Sequence, residues 1–247
     1  MNKKNILANF WQEFLFTLSF FSLLITAPKV SEHIFEHIWF YLFPVSLIIG
    51  TLAGLPLLLP LPPNIKTLIS LGLLLICTRC FHWDGFADLL DAIGSNAQQE
   101  DFFRVLKDSR IGVFGCIGVC MGLFSQWALL AYSPFFKTML GLVVFSRGQL
   151  PLTTFVLKKY AKKGLGQNFF QSISVNKIIF NQVFSLAFIS FLFDPFLYLK
   201  ALFFYFGILF YLYFLAQKHH GANGDFLGAS IIWGEIMFLA ALSFHLN

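Results

Sequence analysis

Residues 79–115 read RCFHWDGFADLLDAIGSNAQQEDFFRVLKDSRIGVFG and concentrate the polar chemistry of an otherwise apolar chain. The chain is 57% hydrophobic and 12% charged, yet this window holds half of its 12 acidic residues. Those residues are Asp84, Asp88, Asp91, Glu100, Asp101 and Asp108. The window lies between two long apolar segments, so it divides the fold and is the first place to look for chemistry.

The composition of the 247-residue chain predicts its fold class. It contains 34 Phe residues and its mean hydropathy is +0.74. Apolar runs this long and uniform are typical of membrane-spanning helices and not of strands in a soluble sheet. We therefore predict an all-α, polytopic integral membrane helical bundle, a single membrane-embedded domain over residues 1–247. No segment resembles a nucleic-acid-binding module, and the net charge of +5 comes from a few basic clusters. We therefore expect the chain to lie in a lipid bilayer and to bind no nucleic acid.

About seven segments are predicted to span the bilayer, and proline-containing turns separate several of them. Their ranges are 38–59, 66–83, 111–132, 136–157, 178–193, 196–217 and 226–245. A further Phe-rich segment at 10–27 forms an N-terminal helix that either spans the membrane or lies in its interface, and the sequence leaves that choice open. The four cysteines lie within apolar segments, so we expect buried, inert thiols and no disulfide.

The lysine residues predict the orientation of the chain. Five of them lie in the connection 158–177, which is therefore expected to be cytoplasmic. Two predicted spans separate this connection from the polar segment 84–110, and two more separate it from 219–225. All three polar segments should then lie on the cytoplasmic face, where together they predict an active site.

Asp84, Asp88 and Asp91 form one narrow stripe if residues 84–91 are helical. Like charges three and four residues apart repel by roughly 0.2–0.5 kcal/mol per pair, and each carboxylate at membrane depth costs about 2.5–3.5 kcal/mol. A divalent cation would remove both penalties, and oxygen ligands suit a hard ion such as Mg²⁺ or Mn²⁺. The alternative is a solvated acidic face on a loop helix.

The run Lys107-Asp108-Ser109-Arg110 begins the next predicted helix. One interpretation is a phosphate clamp, in which two cations and a helix N-terminus bind anionic oxygens while Asp108 binds the metal. The other is that Asp108 or Ser109 caps the helix and that Lys107 and Arg110 anchor it at the interface. The glycines that follow, at 112, 115, 118 and 122, form a smooth face for helix packing.

Other polar residues in or near the apolar segments are candidates for substrate binding. His82 has a second-sphere or substrate role, or is an ordinary interface histidine. Gly224 lies in a loop whose glycines let backbone amides approach an anion, and Asp225 either acts there or caps the last helix. Glu235 lies inside a span and is a functional candidate by default. Arg147 either snorkels to the interface or has a buried phosphate or carboxylate partner.

Four blocks in the sequence match one family in order. FHWDGFADLLDA at 81–92 resembles the H-x-D-G-x-A-D-x-x-D-A signature of cobalamin synthases, the adenosylcobinamide-GDP ribazoletransferases, and KDSRIG at 107–112 resembles their next block. Residues 147–166 are similar to the middle block, and GDFLGA at 224–229, followed by Glu235, is similar to the C-terminal block. The resemblance extends over nearly the whole chain.

The chain departs from the family pattern at a few positions. The family usually has a Gly-Gly pair where this chain has Arg79 and Cys80, an aliphatic residue where Trp83 stands, and Thr where Asn223 stands. None of these departures removes a carboxylate. They bear on loop shape and substrate fit, and they leave the reaction class unchanged.

The resemblance implies a specific reaction in the last steps of cobalamin biosynthesis. The family joins α-ribazole, or its 5′-phosphate, to adenosylcobinamide-GDP, so that adenosylcobalamin, or its 5′-phosphate, forms and GMP leaves. The resemblance also implies a multi-pass enzyme of the bacterial inner membrane that needs Mg²⁺. Its two substrates would be small molecules.

The hypothesis that follows assigns a role to each candidate residue, because phosphoryl transfer depends on positioning and electrostatics. The metal ligands on the substrate pyrophosphate are Asp84, Asp88, Asp91 and Asp108. Either Asp88 or Asp91 is the catalytic base for the attacking hydroxyl. The substrate-binding residues are His82, Lys107, Ser109, Arg110, Arg147, Asn223, Gly224, Asp225 and Glu235.

Two other functions are alternatives. An ion-coupled transporter would use the acidic stripe as a cation or proton site, but it would bind its substrate near the bilayer midplane, often between repeats, and no repeat is evident. A CDP-alcohol phosphotransferase acting on lipids would share the chemistry, but its D-x-x-D-G-x-x-A-R pattern is absent. The sequence is compatible with a homo-oligomer and does not determine the number of subunits.

Overall fold

The structure is a computed structural model that describes residues 3–26, 32–164 and 166–246. These ranges contain 3₁₀ turns at Glu32–Glu36, Leu55–Leu58 and Lys158–Tyr160, and they contain no β-strand. The α-helices are α1 (Lys3–Phe21), α2 (Ile38–Gly54), α3 (Pro63–Cys77), α4 (Phe81–Gly94), α5 (Gln99–Leu106), α6 (Val113–Tyr132), α7 (Phe136–Leu157), α8 (Gln167–Ser172), α9 (Val175–Leu192), α10 (Pro195–Lys218) and α11 (Gly224–Leu246). The predicted all-α fold is confirmed.

Six helical segments of the described chain are long and apolar enough to cross a membrane. They are α2 and α7, each with the 3₁₀ turn that follows it, and α6, α9, α10 and α11. Helices α3 and α4 pass the same test only as a pair, so the count is six or seven. The predicted multi-pass membrane bundle is therefore confirmed.

The segment predicted as one span at 66–83 is instead broken. Helix α3 ends at Cys77, α4 begins at Phe81, and their axes differ by 89°. The cause is the backbone of Arg79 and Cys80, whose φ angles of 57° and 54° are left-handed. The N–H of Cys80 donates to the carbonyl of Leu75 at 2.9 Å, which closes the last turn of α3 as helix C-termini commonly do. Together the two helices are apolar enough for one span despite Arg79 at the bend, so mean hydropathy alone does not reveal the break.

Replacing Cys80 with glycine is expected to stabilise the protein. A side chain in the left-handed region costs roughly 1–2 kcal/mol, which glycine avoids, so we expect Cys80→Gly to raise the free energy of unfolding by about 1 kcal/mol. Reversible unfolding in mixed micelles measures this change. The matched control is Cys77→Gly in the last helical position of α3, which should lower the same free energy by about 0.5–1 kcal/mol. Equal losses in both variants would contradict strain at the bend.

Helices α7 and α11 form the centre of the bundle. In the most apolar stretch of each helix, 83% of α7 and 72% of α11 is buried. The corresponding shares are 22% for α6 and 17% for α9, so these two helices lie at the periphery. Glycines allow the central helices to approach closely, as small residues do in membranes. A Cβ at Gly50 of α2 would lie 3.3 Å from Leu140, and one at Gly141 of α7 would lie 2.6 Å from Phe238.

The expectation of four buried cysteines is wrong. Cys80, Cys116 and Cys120 are exposed and Cys77 is half-buried, although all four are free thiols as predicted. Two of the exposed residues lie on peripheral α6. An apolar neighbourhood in the sequence indicates depth in the bilayer, but it does not say whether a side chain faces protein or lipid.

Helix α1 ends beside the bend between α3 and α4. It packs along α2, where the hydroxyl of Tyr41 donates to Glu13 at 2.9 Å. After the helix, the N–H of Leu23 donates to the carbonyl of Cys77 at 2.7 Å. In the described part of the chain, α1 is not among the helices that are long and apolar enough to cross a membrane. Its last turn therefore borders the region in which α4 begins.

Candidate functional site

Helix α4 lies between α6 and α11, and glycines bring their backbones together. A Cβ at Gly85 of α4 would lie 2.9 Å from the Cα of Asp225 at the start of α11. On the other side of α4, a Cβ at Gly118 would clash with Leu90, and one at Gly122 would meet Trp83 at 2.9 Å. The glycine face predicted for α6 thus packs against the helix that carries the acidic stripe.

Three carboxylates form an acidic centre where α4 meets α11: Asp84 and Asp88 from α4, and Asp225 from α11. The charges of Asp84 and Asp225 both act on Asp88, which is one helical turn from Asp84. Asp84 is exposed, whereas Asp88 and Asp225 are half-buried. Asn223 donates to Asp225 at 2.6 Å, but no cationic side chain in the described chain pairs with any member of the centre. Negative charge is therefore concentrated here without a protein counter-charge.

Asp91 lies at the end of the acidic stripe and holds the start of α6. Its carboxylate accepts a hydrogen bond of 2.7 Å from the N–H of Gly112 and another of 2.7 Å from the N–H of Gly115. The first N–H groups of a helix have no partner within the helix, so a carboxylate from α4 satisfies donors that would otherwise need water. Asp91 is thus an N-terminal cap supplied by a neighbouring helix.

Removing the Asp91 carboxylate is expected to destabilise the bundle. Loss of a cap costs about 0.5–2 kcal/mol, and a buried amide left without a partner costs about 1–3 kcal/mol. We therefore expect Asp91→Ala to lower the free energy of unfolding by about 2 kcal/mol. The control is Asp101→Ala, which removes an exposed carboxylate of α5 and should stay within about 0.5 kcal/mol of the parent. Indistinguishable unfolding of the two variants would contradict the capping role.

The 107–110 loop approaches the same end of α4. Asp91, Asp108 and Arg110 line one surface concavity. Arg110 donates to Asp108 from Nε at 2.9 Å and from a terminal nitrogen at 2.6 Å, and these bonds lower the pKa of Asp108 to about 2. Lys107 and Ser109 are exposed. The loop therefore exposes the cations of Lys107 and Arg110. Asp108, which was predicted to bind a metal, is paired with Arg110 instead.

The other two polar connections reach this face as predicted. The N–H of Lys162 donates to the carbonyl of Ala222 at 2.9 Å, so the loops after α7 and α10 run side by side. The Lys162 ammonium lies 3.8 Å from the ring centroid of Phe103 in α5. His219 stacks on Phe102 at 3.9 Å, and burial lowers its pKa, which favours the neutral ring. Convergence of the three segments is confirmed.

The oxygen ligands of the acidic centre suit Mg²⁺. This ion usually takes one or two carboxylates and completes its shell with water and substrate phosphates. Within the described ranges, no three His, Cys, Asp or Glu side chains are arranged to hold a metal by themselves. An ion shared with a diphosphate would need fewer protein ligands, and the carboxylates of Asp84 and Asp225 lie on different helices.

Arg147 and Glu235 bind each other. They lie 2.6 Å apart across the α7–α11 contact, and both side chains are 2% exposed. Gln126 donates to the second Glu235 oxygen at 2.7 Å, and Ser146 accepts from Arg147 at 2.9 Å. Of the two interpretations of Arg147, the structure supports a buried carboxylate partner. Glu235 lies ten residues after Asp225, about 15 Å along α11, so the pair is separate from the acidic centre.

His82 lines an apolar cavity beside the acidic centre. Its side chain is buried, and its ring centroid lies 5.9 Å from that of Phe21. Neither ring nitrogen has a hydrogen-bond partner in the described chain. Gly224 lines the same cavity. His82 is therefore available for a substrate contact, and it belongs to the cavity and not to the acidic centre.

The comparisons with known proteins identify the family. The sequence profile of the cobalamin-5-phosphate synthase family matches residues 13–243. The chain belongs to this family. The adenosylcobinamide-GDP ribazoletransferase of Nitratidesulfovibrio vulgaris (strain Miyazaki F) is 34% identical over 203 residues, which cover 78% of this chain and 80% of that protein. The protein of the same name from Clostridium botulinum (strain Okra) is 34% identical over 215 residues, covering 82% and 85%. No solved structure matches the chain.

Membership of the cobalamin-5-phosphate synthase family confirms the resemblance carried by the four motif blocks. Sequence reasoning still missed contributors to the site. Gly85 permits the close approach of α4 to α11, and a glycine within an amphipathic helix is a signal that could have indicated it. Outside the acidic centre, Gln126 donates to Glu235 of the buried pair, and an amide inside an apolar span is a similar signal. The aromatic wall around His82 had no signal, because 34 Phe residues are spread over the chain.

Proposed function

We propose that the chain is an adenosylcobinamide-GDP ribazoletransferase that releases GMP as it joins α-ribazole, or its 5′-phosphate, to the cobinamide. One observation carries the proposal beyond family membership: Asp84, Asp88 and Asp225 meet on two helices without a counter-charge. Such a centre suits a diphosphate substrate that arrives with a divalent cation.

In this proposal Asp84 and Asp225 would be the protein ligands of a Mg²⁺ ion that arrives with the substrate diphosphate. When bound, the ion would neutralise the phosphate oxygens on which charge develops. Exposed Lys107 and Arg110 at the rim supply further positive charge. Asp91 acts indirectly, because it fixes the first turn of α6 and with it the position of the 107–112 loop.

Asp88 is the proposed base. Its carboxylate has no hydrogen bond or ion pair with any described residue, so its oxygens are available, unlike those of Asp91. The 3′-hydroxyl of the ribazole attacks the phosphorus linked to the cobinamide, and its proton passes to Asp88. The bond between the two phosphorus groups breaks on the opposite side, and GMP leaves with the bridging oxygen. Positioning and charge stabilisation supply the catalysis.

The proposed site faces the cytoplasm from the inner membrane. The loop that carries Lys158, Lys159, Lys162 and Lys163 adjoins the acidic centre, and lysine-rich loops are typically cytoplasmic. A thiol-reactive or protease probe applied from each side of sealed vesicles to a tag inserted at residue 163 tests this orientation. Reaction only from the outer side of right-side-out vesicles would contradict it.

The test of the proposed function is GMP release by purified protein in lipid nanodiscs. With adenosylcobinamide-GDP, α-ribazole and Mg²⁺, we expect stoichiometric GMP and cobalamin. Addition of EDTA should abolish both products, and excess Mg²⁺ should restore them. Solute uptake by the same protein in sealed proteoliposomes, without GMP release, would indicate a transporter. CMP release from a CDP-alcohol would indicate the lipid enzyme, and either result would overturn the proposal.

A further inference from the structure

An apolar cavity lies where the end of α1, the start of α4, α8 and the start of α11 meet. Its space, including the open mouth, is about 440 Å³. Its walls include Phe20, Phe21, Phe81, Phe169, His82 and the backbone of Gly224, and aliphatic side chains complete them. Its chemistry is therefore that of a site for a flat, apolar ring.

The rings are arranged around the cavity and do not fill it. Phe20 lies 5.1 Å from Phe169 and 5.7 Å from Phe81, centroid to centroid, in tilted and edge-to-face contacts. Gly166 adjoins Gly224 so closely that a Cβ at position 166 would lie 2.8 Å from the Gly224 nitrogen. A planar ligand could then pack against both aromatic faces and glycine backbone.

Among the described residues that line the cavity, His82 is the one with an ionisable or amide side chain. It is 3% exposed, and neither of its ring nitrogens is hydrogen-bonded within the described chain. A buried polar group without a partner costs free energy, and such groups in native proteins usually have one. A ligand that offers a single polar ring atom would satisfy it.

We propose that this cavity binds the 5,6-dimethylbenzimidazole base of the ribazole substrate and that His82 donates a hydrogen bond to its unsubstituted ring nitrogen. This inference rests on the proposed function. The base is a flat fused ring with two methyl groups and one free ring nitrogen, which matches aromatic walls with one polar side chain. Guanine and adenine, the other bases that the substrates carry, each have several donors and acceptors that these walls would leave unpaired.

The position of the cavity agrees with the chemistry at the acidic centre. Gly224 lines the cavity and directly precedes Asp225 of the acidic centre. A base bound against Gly224 would therefore place its attached ribose towards Asp225. The 3′-hydroxyl would then lie on the side of the proposed base, Asp88.

The test combines a variant with a substrate analogue. His82→Leu is expected to raise the KM for α-ribazole about tenfold and to leave the KM for adenosylcobinamide-GDP unchanged. With the parent protein, an analogue in which C–H replaces the free ring nitrogen should have a KM about tenfold higher than that of α-ribazole. With His82→Leu, the analogue and α-ribazole should have the same KM. His245→Leu, at the far end of α11, is the control and should match the parent with both substrates.

Several outcomes would overturn the inference. The cavity does not bind the base as proposed if His82→Leu and the parent have the same KM for α-ribazole. The same conclusion follows if the parent has the same KM for α-ribazole and for the analogue. The analogue measured on the parent keeps the test decisive if His82→Leu does not fold. In each case GMP release by the parent shows that the proposed function stands, whereas absence of GMP with every substrate would remove the function itself.

Discussion

Asp88→Asn is expected to reduce GMP release by about 100- to 10,000-fold, the range typical of removing a positioned general base. Asparagine has nearly the same shape, but it cannot take the proton of the attacking hydroxyl. It also removes one of the negative charges at the contact between α4 and α11. The effect should fall on kcat, because the attack is impaired while both substrates still bind.

The matched control for Asp88→Asn is Asp101→Asn. Asp101 is also a helical aspartate within residues 79–115, but its side chain is 64% exposed and pairs with Arg104. We expect that variant to keep the parent rate. Both proteins should insert and unfold like the parent, which separates a chemical defect from a folding defect. Similar kcat values for Asp88→Asn and Asp101→Asn would contradict the assignment of Asp88 as the base.

Glu235→Ala is expected to cause the largest loss of stability. The change would leave the Arg147 guanidinium buried without its counter-ion, and breaking a buried ion pair by removing one partner costs about 3–5 kcal/mol. It would also remove the acceptor of the Gln126 amide. Unfolding of the purified protein in mixed micelles, monitored by tryptophan fluorescence, measures the loss.

A double variant distinguishes a structural pair from a substrate-binding pair. Arg147→Met combined with Glu235→Gln removes both charges and keeps an oxygen for Gln126. Because replacing a whole buried pair is often nearly neutral, we expect stability to recover to within about 1.5 kcal/mol of the parent. If the pair only joins α7 to α11, the folded double variant should keep the parent KM for both substrates. A stable double variant with a greatly raised KM would show that Arg147 or Glu235 binds substrate.

The sequence predicted the side of α4 that carries chemistry but not the partner of each carboxylate. A stripe of residues at helical spacing identifies one face of a helix. It does not say which neighbour meets each turn of that face. Asp84 and Asp88 meet Asp225, whereas Asp91 meets the amides of Gly112 and Gly115 on another helix. The division of one stripe between two neighbours is a property of tertiary packing.

The pairing of Arg147 with Glu235 shows the same limit. Each residue was recognisable as a costly charge within an apolar span. Their contact joins residues 88 positions apart, and only the packing of α7 on α11 creates it. Convergence of the three polar loops was predictable because the number of intervening spans fixes the side of each loop.

The bend between α3 and α4 had a signal that hydropathy ignores. The family usually has Gly-Gly at the positions of Arg79 and Cys80, and both residues here adopt the left-handed backbone that glycine adopts without strain. This chain therefore keeps the bend with side chains present. The bend matters for the site because it places His82 and Asp84 at the start of a new helix against α11.

The proposed mechanism depends on Asp84 and Asp225 as the ligands of a divalent cation bound to the substrate diphosphate. The most direct measurement is electron paramagnetic resonance of Mn²⁺, used in place of Mg²⁺, with purified protein and adenosylcobinamide-GDP in the absence of ribazole. We expect bound Mn²⁺ with magnetic coupling to ³¹P in the parent and in Asp101→Asn, and loss of that signal in Asp225→Asn. Undiminished ³¹P coupling in Asp225→Asn, or Mn²⁺ that never couples to ³¹P in the parent, would contradict this metal site.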